Sequence, residues 1–159
     1  PARQFVICAQ NHDPVGNRAL GDRLPPDAHR VALAVVLFSL STPILFMGEE
    51  HDEQAPFQFF TDHIDPRIAE ATREGRRREF AAFGSFHAGE VPDPQDAATE
   101  QRSVVSHGAP DPFYAELLQL RGELPRELEL ATEGAVLTMR RGAVSVVADF
   151  DTQTVELRR

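Results

Sequence analysis

Phe5-Val6-Ile7-Cys8-Ala9-Gln10-Asn11-His12-Asp13-Pro14-Val15-Gly16-Asn17-Arg18 is the stretch on which the fold turns. A short apolar run ends abruptly in two amides, an imidazole and a carboxylate, and a Pro, a Gly and an Arg follow. Residues 4–9 alternate poorly and are mostly apolar, which predicts a strand covered on both faces. Such a strand delivers Gln10, Asn11, His12 and Asp13 to one place at its C-terminal end, where chemistry sits in parallel α/β sheets and barrels. A second reading of the same residues stands beside it: a strand followed by an ordinary polar turn, with Asp13 capping something nearby.

Beyond this stretch, residues 13–25 carry Pro14, Gly16, Asn17, Gly21 and Asp22 and read as a loop. Asp27 is the expected N-cap of a helix from Ala28 to about Ser39. That segment is apolar on nearly every side and should be buried on nearly every side. Its unbroken apolar run, Val31–Phe38, falls far short of the roughly 20 residues that span a membrane. Ser41-Thr42-Pro43 stops the helix, and Ile44-Leu45-Phe46-Met47 predicts a second short buried strand, followed at once by Gly48-Glu49-Glu50. Strand, loop, helix and strand in that order make one βαβ unit with a parallel pair. Its strand ends share one face of the sheet, so Asp13, Glu49 and Glu50 can line one pocket. Glu49 and Glu50 read mainly as structural acids, one of them meeting an Arg, with Arg18 the natural candidate.

Phe57, Phe59 and Phe60 form either a hydrophobic plug under a loop or a platform for stacking sugar rings. Residues 66–82 look helical, with Gly75 a possible break into two pieces, and Arg76-Arg77-Arg78 reads as a solvated face more readily than as a substrate site. Residues 83–111 show no periodicity and read as a long loop. Asp111-Pro112 opens an amphipathic helix with Phe113, Leu117, Leu118 and Leu120 on one face. After Pro125 the period switches to two, and strands are predicted at Leu128–Ala131, Ala135–Arg140, Ala143–Ala148 and Thr154–Leu157, with Gly134 and Arg141-Gly142 in the turns.

At 159 residues the chain is long enough for one domain with a real core. A complete (β/α)8 barrel typically takes about 250 residues, so a barrel reading makes this chain a piece of one. Net charge is −9 and all sixteen basic residues are Arg. Scattered Arg in an acidic chain argues against nucleic-acid binding, which needs clustered positive charge. The single Cys, Cys8, reads as a small buried hydrophobe and fits a reducing cytoplasm. No leader or membrane segment is expected, and the dispersed His residues show no metal-ligand spacing; no cofactor is expected.

Gln10-Asn11-His12-Asp13 followed by Val15-Gly16-Asn17-Arg18 resembles the fourth sequence region of the α-amylase superfamily of glycoside hydrolases. Phe46-Met47-Gly48-Glu49-Glu50, Pro56-Phe57-Gln58-Phe59-Phe60-Thr61-Asp62-His63 and Arg73-Glu74-Gly75-Arg76-Arg77-Arg78-Glu79-Phe80 are similar to the pattern of its malto-oligosyltrehalose trehalohydrolase family. Asp93-Pro94-Gln95-Asp96 also matches, near the active-site rim of that family. Two positions depart from the pattern: His51 replaces an aromatic residue and Pro14 replaces Gln.

The resemblance implies an α/β chain made of the last two βα units of a (β/α)8 barrel, followed by the start of an antiparallel β-sandwich domain. Residues 1–126 then run from the seventh strand to the eighth helix, with a long loop at 48–110, and residues 127–159 open the β domain. It implies part of a retaining glycosidase of trehalose biosynthesis that cleaves the α-1,4 bond next to the trehalose end of malto-oligosyltrehalose. Asp13 matches the transition-state stabiliser and His12 a ligand of the same sugar ring, with Asn11, Gln10 and Arg18 as further substrate-binding candidates. The nucleophile and general acid of that superfamily belong to the fourth and fifth strands, so residues 1–159 alone are expected to be inactive. The expected partner is a malto-oligosaccharide, with no nucleic acid or membrane, and an unpaired barrel edge through which the fragment dimerises. A noncatalytic carbohydrate-binding or interaction module, a branching enzyme and a trehalose synthase are the alternatives.

Overall fold

The chain folds in the order β1 (Val6–Ile7), α1 (His12–Gly16), α2 (Pro26–Phe38), β2 (Thr42–Pro43), α3 (Pro66–Ala81), α4 (Ala97–Arg102), α5 (Pro112–Glu123) and β3 to β6 (Glu129–Glu133, Val136–Arg141, Val144–Asp149, Thr154–Arg158). This order is taken from a computed structural model that describes residues 4–81 and 91–159. Two compact units result. One gathers the chain through Ala9, Leu24–Glu53 and His107–Arg159; the other gathers Gln10–Arg23 and Gln54–Ser106.

In the first unit β1 and β2 pair in parallel, Val6 opposite Thr42 and Ile7 opposite Pro43. The expected βαβ order is present, but β1 is shorter than its apolar run, and β2 falls on Thr42–Pro43, ahead of the expected Ile44–Met47, which forms no strand. Phe5 and Val6 are 65% and 59% exposed, and Ile44 and Met47 are exposed too. Among the described residues no further strand pairs with these two to cover such side chains. Cys8 is half-buried rather than buried.

The helix α2 starts earlier than expected. Pro25 is its N-cap and Pro26 its first residue, where a missing N–H costs nothing and the fixed φ is already helical. Asp27 therefore sits in the first turn, where its charge faces the positive helix end, and does not cap. His29, Val31, Leu33, Ala34, Val36, Leu37 and Phe38 are all buried, as the all-round apolar sequence requires.

Helix α5 is capped by the side chain of Asp111, which accepts from the N–H of Phe113 at 2.6 Å. Tyr114, Leu117 and Leu120 are buried at intervals of three, while Leu118, a hundred degrees round from Leu117, is exposed and leaves the expected core face. The four C-terminal strands form an antiparallel meander in the order β3-β4-β5-β6. Met139 lies opposite Val146, and Val146 opposite Leu157, so the two-residue period puts Leu137, Met139, Val144, Val146, Ala148, Val155 and Leu157 on one face. That face shares a core with Leu33, Leu37 and Phe38 of α2 and Leu117 and Leu120 of α5. Fully burying Leu37, Phe38 or Leu117 contributes about 1.5–3 kcal/mol each. The tight β3–β4 and β4–β5 turns place Gly134 and Gly142 at φ 58° and 61°, where a side chain would be strained.

The second unit holds α1, α3, α4 and the segment from Gln54 to His63. Asp65 Oδ1 accepts from Arg67 N at 2.8 Å to start α3, which runs unbroken through Gly75 instead of splitting there. One Gly costs a helix only about 1 kcal/mol, less than a break would forfeit in hydrogen bonds. Helix α4 corrects the expectation of a structureless 83–111, of which residues up to Glu90 lie outside the described ones. Asp96 caps it, accepting from Ala98 N at 2.9 Å, and Thr99 is its buried residue. Six residues with a Thr inward carry no apolar stripe, so periodicity could not announce it. Among the described residues no helix is long and apolar enough to cross a membrane, and no three acidic, His or Cys groups are set to hold a metal ion.

Candidate functional site

His12 and Asp13 stand in the first turn of α1 rather than at a strand end. Asn11 is the N-cap, extended at φ −155°, and its Oδ1 accepts from Asp13 N at 2.8 Å. Pro14 follows in the same turn, where its missing N–H would have been unsatisfied anyway. The two functional candidates thus project from a capped helix start, 71% and 73% exposed, with His12 Nε2 at 3.3 Å from Asp13 Oδ1. They line a cleft of about 200 Å³ together with Gly16, Asn17, Phe57, Gln58, Phe59 and Phe60.

The rest of the expected set is elsewhere. Gln10 is buried and Asn11 is committed to its cap; neither lines the cleft. Arg18 donates to Asp22 Oδ2 at 3.1 Å and Asp22 O at 2.9 Å, one turn along. It does not meet Glu49 or Glu50, and the expected pairing is corrected. In the first unit Glu49 is buried in a 3₁₀ turn, where Oε2 accepts from Phe46 N at 2.8 Å and Oε1 lies 3.7 Å from His29 Nε2. His29 Nδ1 is 3.0 Å from Asp52 Oδ1. Burial opposes protonation of His29, but the nearby carboxylates of Glu49 and Asp52 outweigh it and raise its pKa above the usual value. A buried carboxylate needs a donor close by, and α2 brings a histidine there. Glu49, His29 and Asp52 line a cavity of the first unit.

The three phenylalanines are a platform with a plugged end. Phe59 and Phe60 are more than a third exposed, while half-buried Phe57 meets Phe60 edge-on, with ring centres 6.0 Å apart. The loop beneath is pinned through its main chain and the Gln58 side chain. Phe57 N donates to Gly21 O at 2.8 Å, Gln58 Nε2 to Leu20 O at 3.2 Å, and Gln58 N to Ser103 Oγ at 2.9 Å. Gly21 has φ +66°, and a Cβ there would sit 2.5 Å from the Phe57 carbonyl. Only glycine allows that approach.

Arg76 holds the other side, which corrects the solvated-face reading of the Arg run. It is buried; Nη2 donates to Gly16 O at 3.1 Å and lies 3.5 Å from Arg18 O. Its guanidinium stacks 4.7 Å from the centres of both Phe59 and Phe80. Burial pushes its pKa down, partly offset by Glu79, yet an Arg stays charged. Arg77 and Arg78 are exposed as expected. Three consecutive helical residues cover some 200° of the helix, so one of them had to face inward, and Phe80 four residues on marked which.

Near the cleft wall Phe60, residues 93–96 are fastened to the platform loop. Thr61 N donates to Pro94 O at 2.7 Å, His63 N to Gln95 Oε1 at 3.1 Å, and Gln95 also bonds Thr61 Oγ1. Arg73 Nε donates to Asp93 Oδ2 at 2.6 Å. Burial works against ionisation of Asp93, but the Gln95 N–H and Arg73 outweigh it and hold the carboxyl below its usual range.

An exposed imidazole and carboxylate beside two aromatic faces can grip a sugar ring from its hydroxyl edge and its apolar face together. No protein-family model matches the chain. Curated relatives do. A malto-oligosyltrehalose trehalohydrolase of Arthrobacter ramosus is 42% identical over 92% of the chain. Those of Rhizobium sp. (strain M-11) and Saccharolobus solfataricus are 38% and 34% identical over 98% of it. The chain spans 28–29% of the length of these three relatives. A 1.4 Å crystal structure described as an alpha amylase of Salmonella typhimurium superposes with a TM-score of 0.73 at 36% identity, covering 92% of this chain and 29% of that one. Over nearly its whole length, the chain matches a C-terminal portion of the malto-oligosyltrehalose trehalohydrolases, in an α-amylase-like fold.

Proposed function

We propose that the chain is the C-terminal part of a retaining glycoside hydrolase acting on malto-oligosyltrehalose, which cleaves the α-1,4 bond next to the trehalose end and releases trehalose. The observation that carries this is the sharing of one cleft by His12, Asp13 and the Phe57–Phe60 platform. Residues 1–126 are the last two βα units of the barrel in this reading, and 127–159 open an antiparallel β-sandwich domain. A reducing, cytoplasmic setting fits the single thiol. The expected dimerisation through the β1–β2 edge has no support among the described residues.

Asp13 is the transition-state stabiliser. A carboxylate bound to ring hydroxyls gains strength as the ring flattens and acquires positive charge, so it lowers the barrier instead of only binding the substrate. His12 holds hydroxyls of the same ring, and Phe59 and Phe60 take an apolar sugar face. Gln10, Asn11 and Arg18 complete the proposed substrate-binding group, Asn11 through the cap that aims Asp13. The nucleophile and general acid are supplied by the part of the protein outside this chain.

The test is product analysis with the full-length protein. Asp13→Asn should lower kcat by at least 1000-fold, about 4 kcal/mol of barrier, with a much smaller change in KM. Residues 1–159 alone should release no trehalose. Turnover by the 159-residue chain, or an Asp13→Asn enzyme within tenfold of the parent, would refute the reading. Transfer products in place of trehalose would instead assign a branching chemistry.

A further inference from the structure

The first unit holds a cluster of charge that includes none of the residues lining the His12–Asp13 cleft. Arg121 near the end of α5, Arg126 just beyond it and Arg141 at the end of β4 line one pocket of about 240 Å³ with Ser39, Leu40 and Thr42. Two of these arginines have structural duties. Arg121 Nη1 donates to Leu37 O at 2.8 Å and Ser39 O at 2.6 Å, and its Nη2 to Ser41 O, which closes the C-terminus of α2. Arg141 Nε and Nη2 donate to Pro125 O at 2.9 Å and Leu124 O at 3.0 Å, which closes α5.

Those duties leave donors over. A guanidinium has five N–H groups in a fixed plane. Arg141 is 3% exposed, yet its Nη1 is buried without a hydrogen-bond partner. Native structures rarely strand a charged donor in this way. Arg126 is exposed, and none of the ion pairs among the described residues includes Arg121, Arg126 or Arg141.

Charge counting then shows what is missing. The two closed helix ends supply roughly half a negative charge each, about −1 against three full positive charges. A surplus near +2 persists in a chain whose net charge is −9. Burial, together with the charges of Arg121 and Arg126, holds the Arg141 pKa down, which is the expected mark of that surplus.

We propose that this pocket binds a phosphate-type dianion, held by Arg126 and the spare donors of Arg121, with the charge of buried Arg141 behind them and the Thr42 hydroxyl at its edge. A dianion balances the surplus, where a monoanion such as chloride or a single carboxylate leaves half of it. The ligand is inorganic phosphate or the phosphoryl group of a small metabolite, which present the same oxygens.

Isothermal titration of the protein at constant ionic strength tests this. Inorganic phosphate should bind saturably with one site per chain, and Arg126→Ala should weaken it at least tenfold. Arg77→Ala, on an exposed face of α3, should leave it unchanged. A sugar monophosphate run in parallel separates the sources: tighter binding than inorganic phosphate assigns a metabolite, and equal or weaker binding assigns the free ion. No saturable heat, an equal response to chloride, or full affinity in Arg126→Ala overturns the proposal. So does loss of phosphate binding in the full-length protein, where a carboxylate from elsewhere would then occupy the pocket.

Discussion

Replacing Arg76 with Met puts a number on the clamp beneath the cleft. The 3.1 Å hydrogen bond to Gly16 O is charge-assisted and worth about 1.5–3 kcal/mol, because its loss strands a carbonyl in a buried place. Stacking on two ring faces adds roughly 0.5–1 kcal/mol for each. The pair with half-exposed Glu79 adds less than about 1 kcal/mol. Against these stand the burial of the charge, which already depresses the Arg76 pKa, and the packing that a Met restores between Phe59 and Phe80. The net loss should be about 2–3 kcal/mol, read as a lower urea midpoint with an unchanged slope. Arg76→Lys keeps the charge but loses the planar fork, and should recover no more than about half. Because Gly16 ends the helix that carries His12 and Asp13, the variant should also move both side chains. In the full-length enzyme a shift near 1 Å costs on the order of 100-fold in rate. A Met variant within about 0.5 kcal/mol of the parent, or a Lys variant as stable as Arg, would show that Arg76 is not what holds the loop.

Two further outcomes follow from the local chemistry. His29 has its folded pKa raised by Glu49 and Asp52, so its contribution to stability is complete below its unfolded value near about 6.5 and is lost as pH rises through the higher folded value. Subtracting the melting profile of His29→Gln from that of the parent should isolate a component that falls with rising pH; a flat or rising difference contradicts the assignment. Gly21→Ala places a Cβ at φ +66° and 2.5 Å from the Phe57 carbonyl, and should cost at least about 2 kcal/mol in thermal unfolding. An unchanged melting temperature would mean that the 57–58 main chain is free to retreat.

Much of this architecture was legible from periodicity. The two-residue alternation after Pro125 located all four C-terminal strands, and Asp111-Pro112 announced α5 through its cap. The failures have physical causes. The apolar run Phe5–Ala9 predicts a buried strand, but composition signals burial only where a neighbour covers the strand, and within this chain, 28–29% of its relatives' length, the pair is two strands wide. Leu118 looked like core on spacing, but a short helix with one packed side leaves the next position exposed. The site was half visible. His12 and Asp13 share the cleft, but whether a polar residue binds a ligand or a backbone depends on what lies one turn away. Asn11 caps α1 and Arg18 meets Asp22, contacts that spacing alone does not announce. No local pattern distinguishes Arg76 from Arg77 until the helix is phased against Phe80.

The all-arginine composition carried no function when read as composition, yet the contacts show where it matters. Arg76 ends on the carbonyls of the α1 loop, Arg23 on Ala55 O, Arg121 on the last carbonyls of α2, and Arg141 on those of α5. In each case a charge is taken into or toward the interior to satisfy main-chain acceptors that no strand or helix continues to serve. A forked, planar and weakly hydrated cation can bond several carbonyls at once; a lysine ammonium is more strongly hydrated and cannot copy that geometry. This use differs from ion pairing. Carbonyls carry no net charge, so bonds to them do not by themselves cancel an arginine's positive charge. At Arg76 two aromatic faces and Glu79 absorb it. At Arg121 and Arg141 no carboxylate among the described residues does. The device that closes the helices in one unit thus leaves a cationic pocket, and the same device in the other unit, set between Phe59 and Phe80, supports an aromatic surface.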